Sequence, residues 1–210
     1  MANGHAQHFR GHRWFAAMYD RLMRGSERKF LAKHRPHIVG DASGQVLEVG
    51  AGTGASFPYY EKAEKVIATE PDPFMLERAR RRLQELGLAH VDLAQHRAEE
   101  LPFDDHSFDH VVSSLVFCTV SDPRRSLAEV KRVLKPGGTF RFIEHVRFES
   151  GLRGGIQDFI TPVWSWVGAG CHPNRRTLES IGEAGFDVQE VQRYDMNAFS
   201  PVVVGVARPR

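Results

Sequence analysis

Glu48-Val49-Gly50-Ala51-Gly52-Thr53-Gly54 is the stretch on which the fold turns. Gln45-Val46-Leu47 leads into it, making a short apolar run that ends in glycines, the pattern of a strand buried on both faces of a parallel sheet. Glycine permits a tight turn and lets a ligand lie against bare backbone. A helix is expected to open beyond Gly54, with free N–H groups and a positive dipole end for an anion. Twenty residues after Gly50, at the end of the next expected strand, stands Glu70, whose carboxylate can accept hydrogen bonds from two vicinal ribose hydroxyls. The loop therefore points to an adenosine-containing cofactor. Gly50, Gly52 and Ala55 also fit G-x-G-x-x-A, so the glycines alone leave a nicotinamide dinucleotide open.

Working outward, strands and helices alternate. Val66–Thr69 reads as strand, Pro73–Leu86 as a helix stopped by Gly87, and Val91–Ala94 as strand. Phe108–Val116 is a second long apolar run. Asp122 caps a helix with Pro123 in its first turn, and Gly137-Gly138 is expected to end it. Thr139–Val146 reads as strand, and Asn174 is expected to cap a helix running to Gly185. Val188–Val191 and Val202–Val206 complete seven strands. Only a loop separates the last two, so one edge is expected to be an antiparallel hairpin on a mostly parallel α/β sheet. Upstream, Trp14, Phe15, Met18, Tyr19, Leu22 and Met23 share one half of a helix that Gly25 should end, and a second helix from Glu27 should stop at Pro36.

Composition bounds the rest. The chain has 210 residues, 41% hydrophobic and 26% charged, which suits one globular domain and neither a disordered nor a fibrous class. No apolar run has the ~18 residues of a membrane span. The N-terminus MANGHAQHFRGHRWF has no apolar h-region, so no secretory signal is expected there. Two cysteines, Cys118 and Cys171, are too few for a disulfide scaffold and suit a reducing compartment. Net charge is +2, but residues 1–40 carry +6 and five of the eleven histidines. Such a head suits either an anionic neighbour, such as a membrane surface, phosphate or an acidic substrate, or simply a solvated helical face.

A dinucleotide enzyme usually has ~100 further residues for a catalytic region, and this chain has no such room. The downstream motifs also speak for themselves. V-L-E-V-G-A-G-T-G (46–54), A-E-E-L-P-F (98–103), S-F-D-H-V-V (107–112) and L-K-P-G-G-T-F (134–140) follow in order. As a set they resemble the class I S-adenosylmethionine (SAM) methyltransferases, from about residue 40 to 145. The resemblance implies a Rossmann-like seven-stranded sheet in order 3-2-1-4-5-7-6, with helices on both faces. An N-terminal helical lid (1–40) would precede the methyltransferase domain (41–210).

By the same resemblance Gly50, Gly52, Thr53 and Gly54 would line the methionine part of SAM, with Glu48 near its ammonium. Glu70 would take the ribose hydroxyls, and Pro71 and Met75 would pack on the adenine. Arg97, Ala98 and Glu99 would border the adenine edge, Ser113 and Leu115 would lie under the sulfonium, and Tyr19 would reach the cofactor from the lid. Leu115-Val116-Phe117-Cys118-Thr119-Val120, Ile143-Glu144-His145-Val146 and Gly170-Cys171-His172-Pro173-Asn174-Arg175 look like the thiol S-methyltransferases of the methyltransferase-like seven group. The vertebrate members of that group begin with a hydrophobic anchor that this N-terminus lacks, and a cytoplasmic location is expected. Phospholipid and quinone methyltransferases share the same core and are the nearest alternative.

Methyl transfer is a direct displacement, so the protein must hold nucleophile, methyl and leaving sulfur in line within ~3–3.5 Å. A thiol with a pKa near ~8.5 gains from a nearby base or cation. His145, at the carboxyl end of the fifth strand, and His172 are the candidates, with Glu144 placed to orient the His145 ring. Cys118 and Cys171 read as small buried residues. With no C-x-x-C or H-x-E spacing, no metal site is expected. Residues 151–172, with Ile156, Phe159, Ile160, Val163, Trp164, Trp166 and Val167, should roof a closed, dry pocket for a small apolar acceptor. A nucleic-acid partner is not expected. Ser113-Ser114-Leu115-Val116 stands where an amine-methylating N-P-P-Y tetrad would be, and the overall charge is weak for phosphate tracking.

Overall fold

The computed structural model describes residues 11–197 and 200–210. The basic and histidine residues Arg10, His5 and His8 of the N-terminal head therefore lie outside the described residues, as do 198–199 in the loop expected between the last two strands.

The seven strands are β1 (Gly44–Val49), β2 (Ala63–Thr69), β3 (Val91–Ala94), β4 (Phe108–Ser114), β5 (Leu134–His145), β6 (Phe186–Asn197) and β7 (Ser200–Pro209). They form one sheet in the order β3-β2-β1-β4-β5-β7-β6, as the family resemblance implies. β1 pairs in parallel with both β2 and β4, so Val49 lies level with Thr69 on one side and Ser113 on the other. The strand order reverses between β1 and β4, and open α/β sheets bind ligands in the crevice at such a point. β7 runs antiparallel to both β5 and β6, giving the expected hairpin edge.

The alternation of side chains along the strands divides the core between the two faces. Leu47, Val49, Val111, Phe140 and Phe142 pack with Leu127, Val130 and Val133 of helix α4 (Pro123–Val133). Val46, Val66, Ala68 and Val112 pack with Ile38 and with Ala79 of helix α3 (Pro73–Leu86). α3 is built as its sequence reads. The Asp72 side chain accepts from Phe74 N and Met75 N, and Gly87 closes the helix at φ +65°. Left-handed backbone at that position is why glycine suits it.

Several local boundaries differ from expectation. Gly25 does not end the first helix: α1 runs Arg13–Ser26 and passes through a π-turn, Glu27–Leu31, into α2, Ala32–Ile38, with Pro36 inside it. Burial of Phe30, Leu31, Arg35 and Ile38 outweighs the modest cost of a mid-helix glycine and the hydrogen bond lost at proline. No α-helix opens after Gly54. The chain turns there into a short 3-10 segment, Phe57–Tyr59, with Pro58 in its first turn. α4 stops at Val133, not at the glycine pair, which instead lies within β5, with Gly137 at φ +81°. Asn174 caps nothing: its amide donates to Asp158 at 2.9 Å, and helix α6 spans only Thr177–Glu183.

Helix α5 (Gly151–Val167) is capped by Ser150, whose side chain accepts from Arg153 N, and carries most of the predicted roof. Its large apolar side chains point outward: Phe159 is 86% exposed, Trp166 87% and Leu152 79%. The expected closed, dry roof is therefore not what this helix makes. It is tied down on its polar side, where buried Gln157 accepts from Phe148 N at 3.0 Å and donates to Pro173 O at 3.1 Å.

Candidate active site

The glycine loop after β1 carries three left-handed glycines at alternate positions, Gly50 (φ +67°), Gly52 (φ +58°) and Gly54 (φ +79°). A Cβ on Gly50 would meet Val116 Cγ2 at 2.6 Å, whereas one on Gly52 would meet nothing within 4 Å. Gly50 is thus glycine for packing and conformation, while Gly52 presents open backbone to a ligand. Glu70 fastens the loop. Its two carboxylate oxygens accept from Gly52 N and Asp72 N, both at 2.9 Å. Burial pushes the Glu70 carboxyl up to about 7, against the pull of those two N–H donors.

Beside the loop lies a cavity of about 340 Å³, walled on one side by Gly50, Gly52, Thr53, Glu48 and Ser114 and on the other by Tyr19, Asp20, Met23 and Arg24 of α1. Thr53 Oγ1 donates to Asp20 Oδ1 at 2.6 Å, joining α1 to the glycine loop, and His12 N donates to Asp72 Oδ2 at 2.7 Å. The N-terminal helix is therefore part of the wall. Its apolar stripe splits: Tyr19 and Met23 line the cavity, while Trp14, Met18 and Leu22 are exposed. Burial raises the Tyr19 phenol above its ordinary range. Deleting residues 1–25 is expected to raise KM for SAM severalfold or abolish turnover, as steady-state kinetics would show. Unchanged kinetics would rule out a working role for α1.

Two polar residues in the wall escaped the sequence reading. Arg35 is buried at 5% exposure, pairs with Glu27 at 2.9 and 3.0 Å, and donates to Ser56 Oγ at 2.7 Å and Ser114 Oγ at 3.3 Å. Asp20 is the other. Neither belongs to a motif, and only the fold shows that their helix lies against the loop. Glu48 Oε2 is buried without a hydrogen-bond partner among the described residues. Burial pushes this carboxyl up to about 7, with the Ser56 hydroxyl, Arg35 and the Tyr60 hydroxyl opposing the shift.

Of the predicted cofactor residues, Tyr19, Glu48, Gly50, Gly52 and Thr53 line this cavity. Gly54, Glu70, Pro71, Met75, Arg97, Ala98, Glu99, Ser113 and Leu115 do not. Ser113 points through the opposite face of β4 and donates to Glu144 Oε1 at 2.9 Å, so Ser114 is the serine at the wall. Strand alternation decides this, since neighbouring side chains leave a strand on opposite faces. Leu115 follows in left-handed backbone (φ +60°). Glu99 accepts from Ser121 N at 2.8 Å and Asp122 N at 3.3 Å, and Arg97 donates to Ser121 Oγ at 2.9 Å.

Glu144 does not orient the His145 ring by a hydrogen bond. It is fully buried and accepts from Val116 N and Phe117 N, both at 3.0 Å, shaping the loop after β4. Burial pushes its carboxyl up to about 7. His145 is 8% exposed, and its Nδ1 lies 4.0 Å from Cys171 Sγ. Burial disfavours its charge, yet the Cys118 thiol and Glu144 outweigh burial and raise its pKa. No hydrogen bond joins His172 to His145 among the described residues. Its Nδ1 lies 2.7 Å from Gly170 O. What the fold does gather is Cys118, His145 and Cys171, whose ligand atoms all lie within 4.8 Å of one another. The mutual contact of the two thiols raises Cys118 and lowers Cys171.

A seven-stranded sheet of this order, with a glycine loop and a buried acid at the β1/β4 crevice, defines a class I nucleoside-binding methyltransferase fold. Residues 47–142 match a methyltransferase domain family. The rat thiol S-methyltransferase TMT1B is 37% identical over 156 residues, 70% of this chain and 61% of that protein. Human thiol S-methyltransferase TMT1A is 30% identical over 183 residues, 85% of this chain and 74% of that protein. The crystal structure of the YcgJ protein of Bacillus subtilis superposes with a TM-score of 0.68 at 26% identity, covering 78% of this chain and 70% of that one. The chain spans about six-tenths of the length of the first curated relatives it matches. It belongs to the class I SAM-dependent methyltransferases, close to the thiol S-methyltransferases, and SAM is its cofactor. Two features of the cavity suit that cofactor: Gly52 leaves backbone bare, and Glu48 sets a buried carboxyl in its wall. No helix among the described residues is long and apolar enough to cross a membrane.

Proposed function

We propose that the protein transfers the methyl group of SAM to the sulfur of a small, apolar thiol. The observation that carries the reading is the cavity between α1 and the Glu70-anchored glycine loop, which opens beside a loop shaped by Glu144; relatives named thiol S-methyltransferases supply the acceptor class. SAM supplies a methyl already activated on a sulfonium. Glu48 would hold the amino-acid ammonium, and an ammonium there would favour the ionised form of a carboxyl that burial disfavours. Glu70 would accept the ribose hydroxyls, while Tyr19 and Met23 exclude water from the α1 side. His145 would take the acceptor's proton.

A SAM-consumption screen over thiols, amines, phenols and lipids tests this. Thiols are expected to be methylated at rates at least tenfold above the other classes, and His145→Ala to slow turnover by roughly 10²-fold, the lower scale of general-base catalysis. Amine methylation with thiols inert would remove the acceptor reading. A second reading has one observation in its favour: the exposed apolar residues of α1 and α5, with the basic N-terminal region, suit a lipid–water boundary. An acceptor such as a phospholipid headgroup or quinone would then come from the bilayer. Retention of the chain by anionic vesicles on sedimentation, together with lipid methylation, would support it over the thiol.

A further inference from the structure

We propose that Cys118, His145 and Cys171 form a three-ligand site for one zinc ion, whose fourth position takes the acceptor thiol. The inference rests on the thiol reading above for its fourth ligand only. The ion site itself stands on geometry.

Three separate segments meet there. Cys118 lies in the loop after β4, His145 is the last residue of β5, and Cys171 lies in the loop after α5. Their ligand atoms lie within 4.8 Å of one another, and a side-chain contraction of roughly 1 Å would bring them to the ~3.8 Å between donors around one tetrahedral ion with Zn–S near ~2.3 Å and Zn–N near ~2.0 Å. Cys118 and His145 are buried. The nitrogen of His145 that meets a thiol is Nδ1, 4.0 Å from Cys171 Sγ, while Nε2 has no hydrogen-bond partner among the described residues.

The segments are also held independently of any ion. His172 N donates to Cys118 O at 2.7 Å, tying the two cysteine loops together. Arg175 Nη1 donates to Phe117 O at 2.7 Å and Val120 O at 2.8 Å, bracketing Cys118. Glu144 holds Val116 N and Phe117 N from below, and Thr177 Oγ1 donates to His145 O at 2.8 Å. Clamping of this kind keeps ligands in place at little entropic cost on binding. Two thiolates and an imidazole favour a soft or borderline ion, and a set of three leaves a position open, as in catalytic zinc sites. The site adjoins the methyl-donor cavity, because Gly50 packs on Val116, two residues before Cys118.

The chemistry balances without a change in the metal. With the ion in place His145 acts as a ligand in place of the base role given to it above: zinc binding releases the two cysteine protons, and the acceptor thiol loses its own proton to solvent on binding as thiolate. A lone pair of that sulfur forms the new S–CH3 bond as the sulfonium S–CH3 bond breaks. The bonding pair stays on the donor sulfur, leaving a methyl sulfide and S-adenosylhomocysteine.

Titration of the metal-stripped full chain with Co²⁺, without air, reads the site directly. One Co²⁺ per chain is expected, with strong thiolate-to-cobalt absorption that Zn²⁺ abolishes. Cys118→Ser and Cys171→Ser should each lose that absorption while binding SAM within about twofold of the parent, which shows them folded. A small thiol such as 2-mercaptoethanol should shift the visible cobalt bands. A chain that binds SAM but gives no thiolate-to-cobalt absorption overturns the ion site. Bands that no thiol moves overturn the open fourth position. Bands that appear and move, in an enzyme that methylates only amines, uphold the ion site and remove the thiol reading instead.

Discussion

Replacing Arg35 by alanine is expected to destabilise the fold by ~3 kcal/mol, the lower end of the cost of breaking a buried ion pair. The guanidinium is 5% exposed and joins α2 to the π-turn through Glu27, to the glycine-loop side through Ser56 and to the end of β4 through Ser114. The lower end applies because the Glu27 side chain is 30% exposed and can regain water. Glu48 has no such outlet at 2% exposure, and it loses its nearest buried cation. Urea unfolding measures the loss. Arg35→Lys keeps the charge but not the planar fork, and should recover only part of it. An unchanged unfolding midpoint in the alanine variant would mean that the pair contributes nothing. SAM affinity should fall with stability, because the same side chain lines the cavity.

Glu70→Ala is expected to weaken SAM binding roughly 10- to 150-fold, or ~1.5–3 kcal/mol, the scale of hydrogen bonds to a charged group. Two effects combine: the ribose hydroxyls would lose their proposed acceptor, and Gly52 N and Asp72 N lose the carboxylate that positions the loop. Calorimetry of the two forms measures the difference. The carboxyl sits at about 7, so binding should tighten as pH rises through that value and the acceptor becomes ionised. Glu70→Gln should flatten that dependence, with any remaining slope belonging to Glu48 at about 7. Equal affinity in Glu70→Ala and the parent would mean that the cofactor does not meet this acid.

The sheet was legible because its signals are local. β1 is an apolar run ending in left-handed glycines, α3 lies between a capping aspartate and a C-terminal glycine, and β3 was read to the residue as Val91–Ala94. The errors fall where long-range burial overrides a local stop signal. Gly25 and Pro36 read as helix ends, yet the helix continues because Phe30, Leu31, Arg35 and Ile38 are buried against the sheet. Ser113 and Ser114 are adjacent in sequence, and strand phase alone sends one to Glu144 and the other to the cavity.

By itself, the sequence determined the α/β class, the order of the strands through the family's motifs, the glycine loop and the acid that serves it. Those depend on residue type and short spacing, which a linear chain displays. Only the tertiary structure decided that Asp20 and Arg35 belong to the cavity wall, that α5 turns its aromatic residues outward, and that Cys118, His145 and Cys171 meet. Residues tens of positions apart become neighbours only when the sheet and its crossovers close, and their joint chemistry has no signature in any short window of the chain.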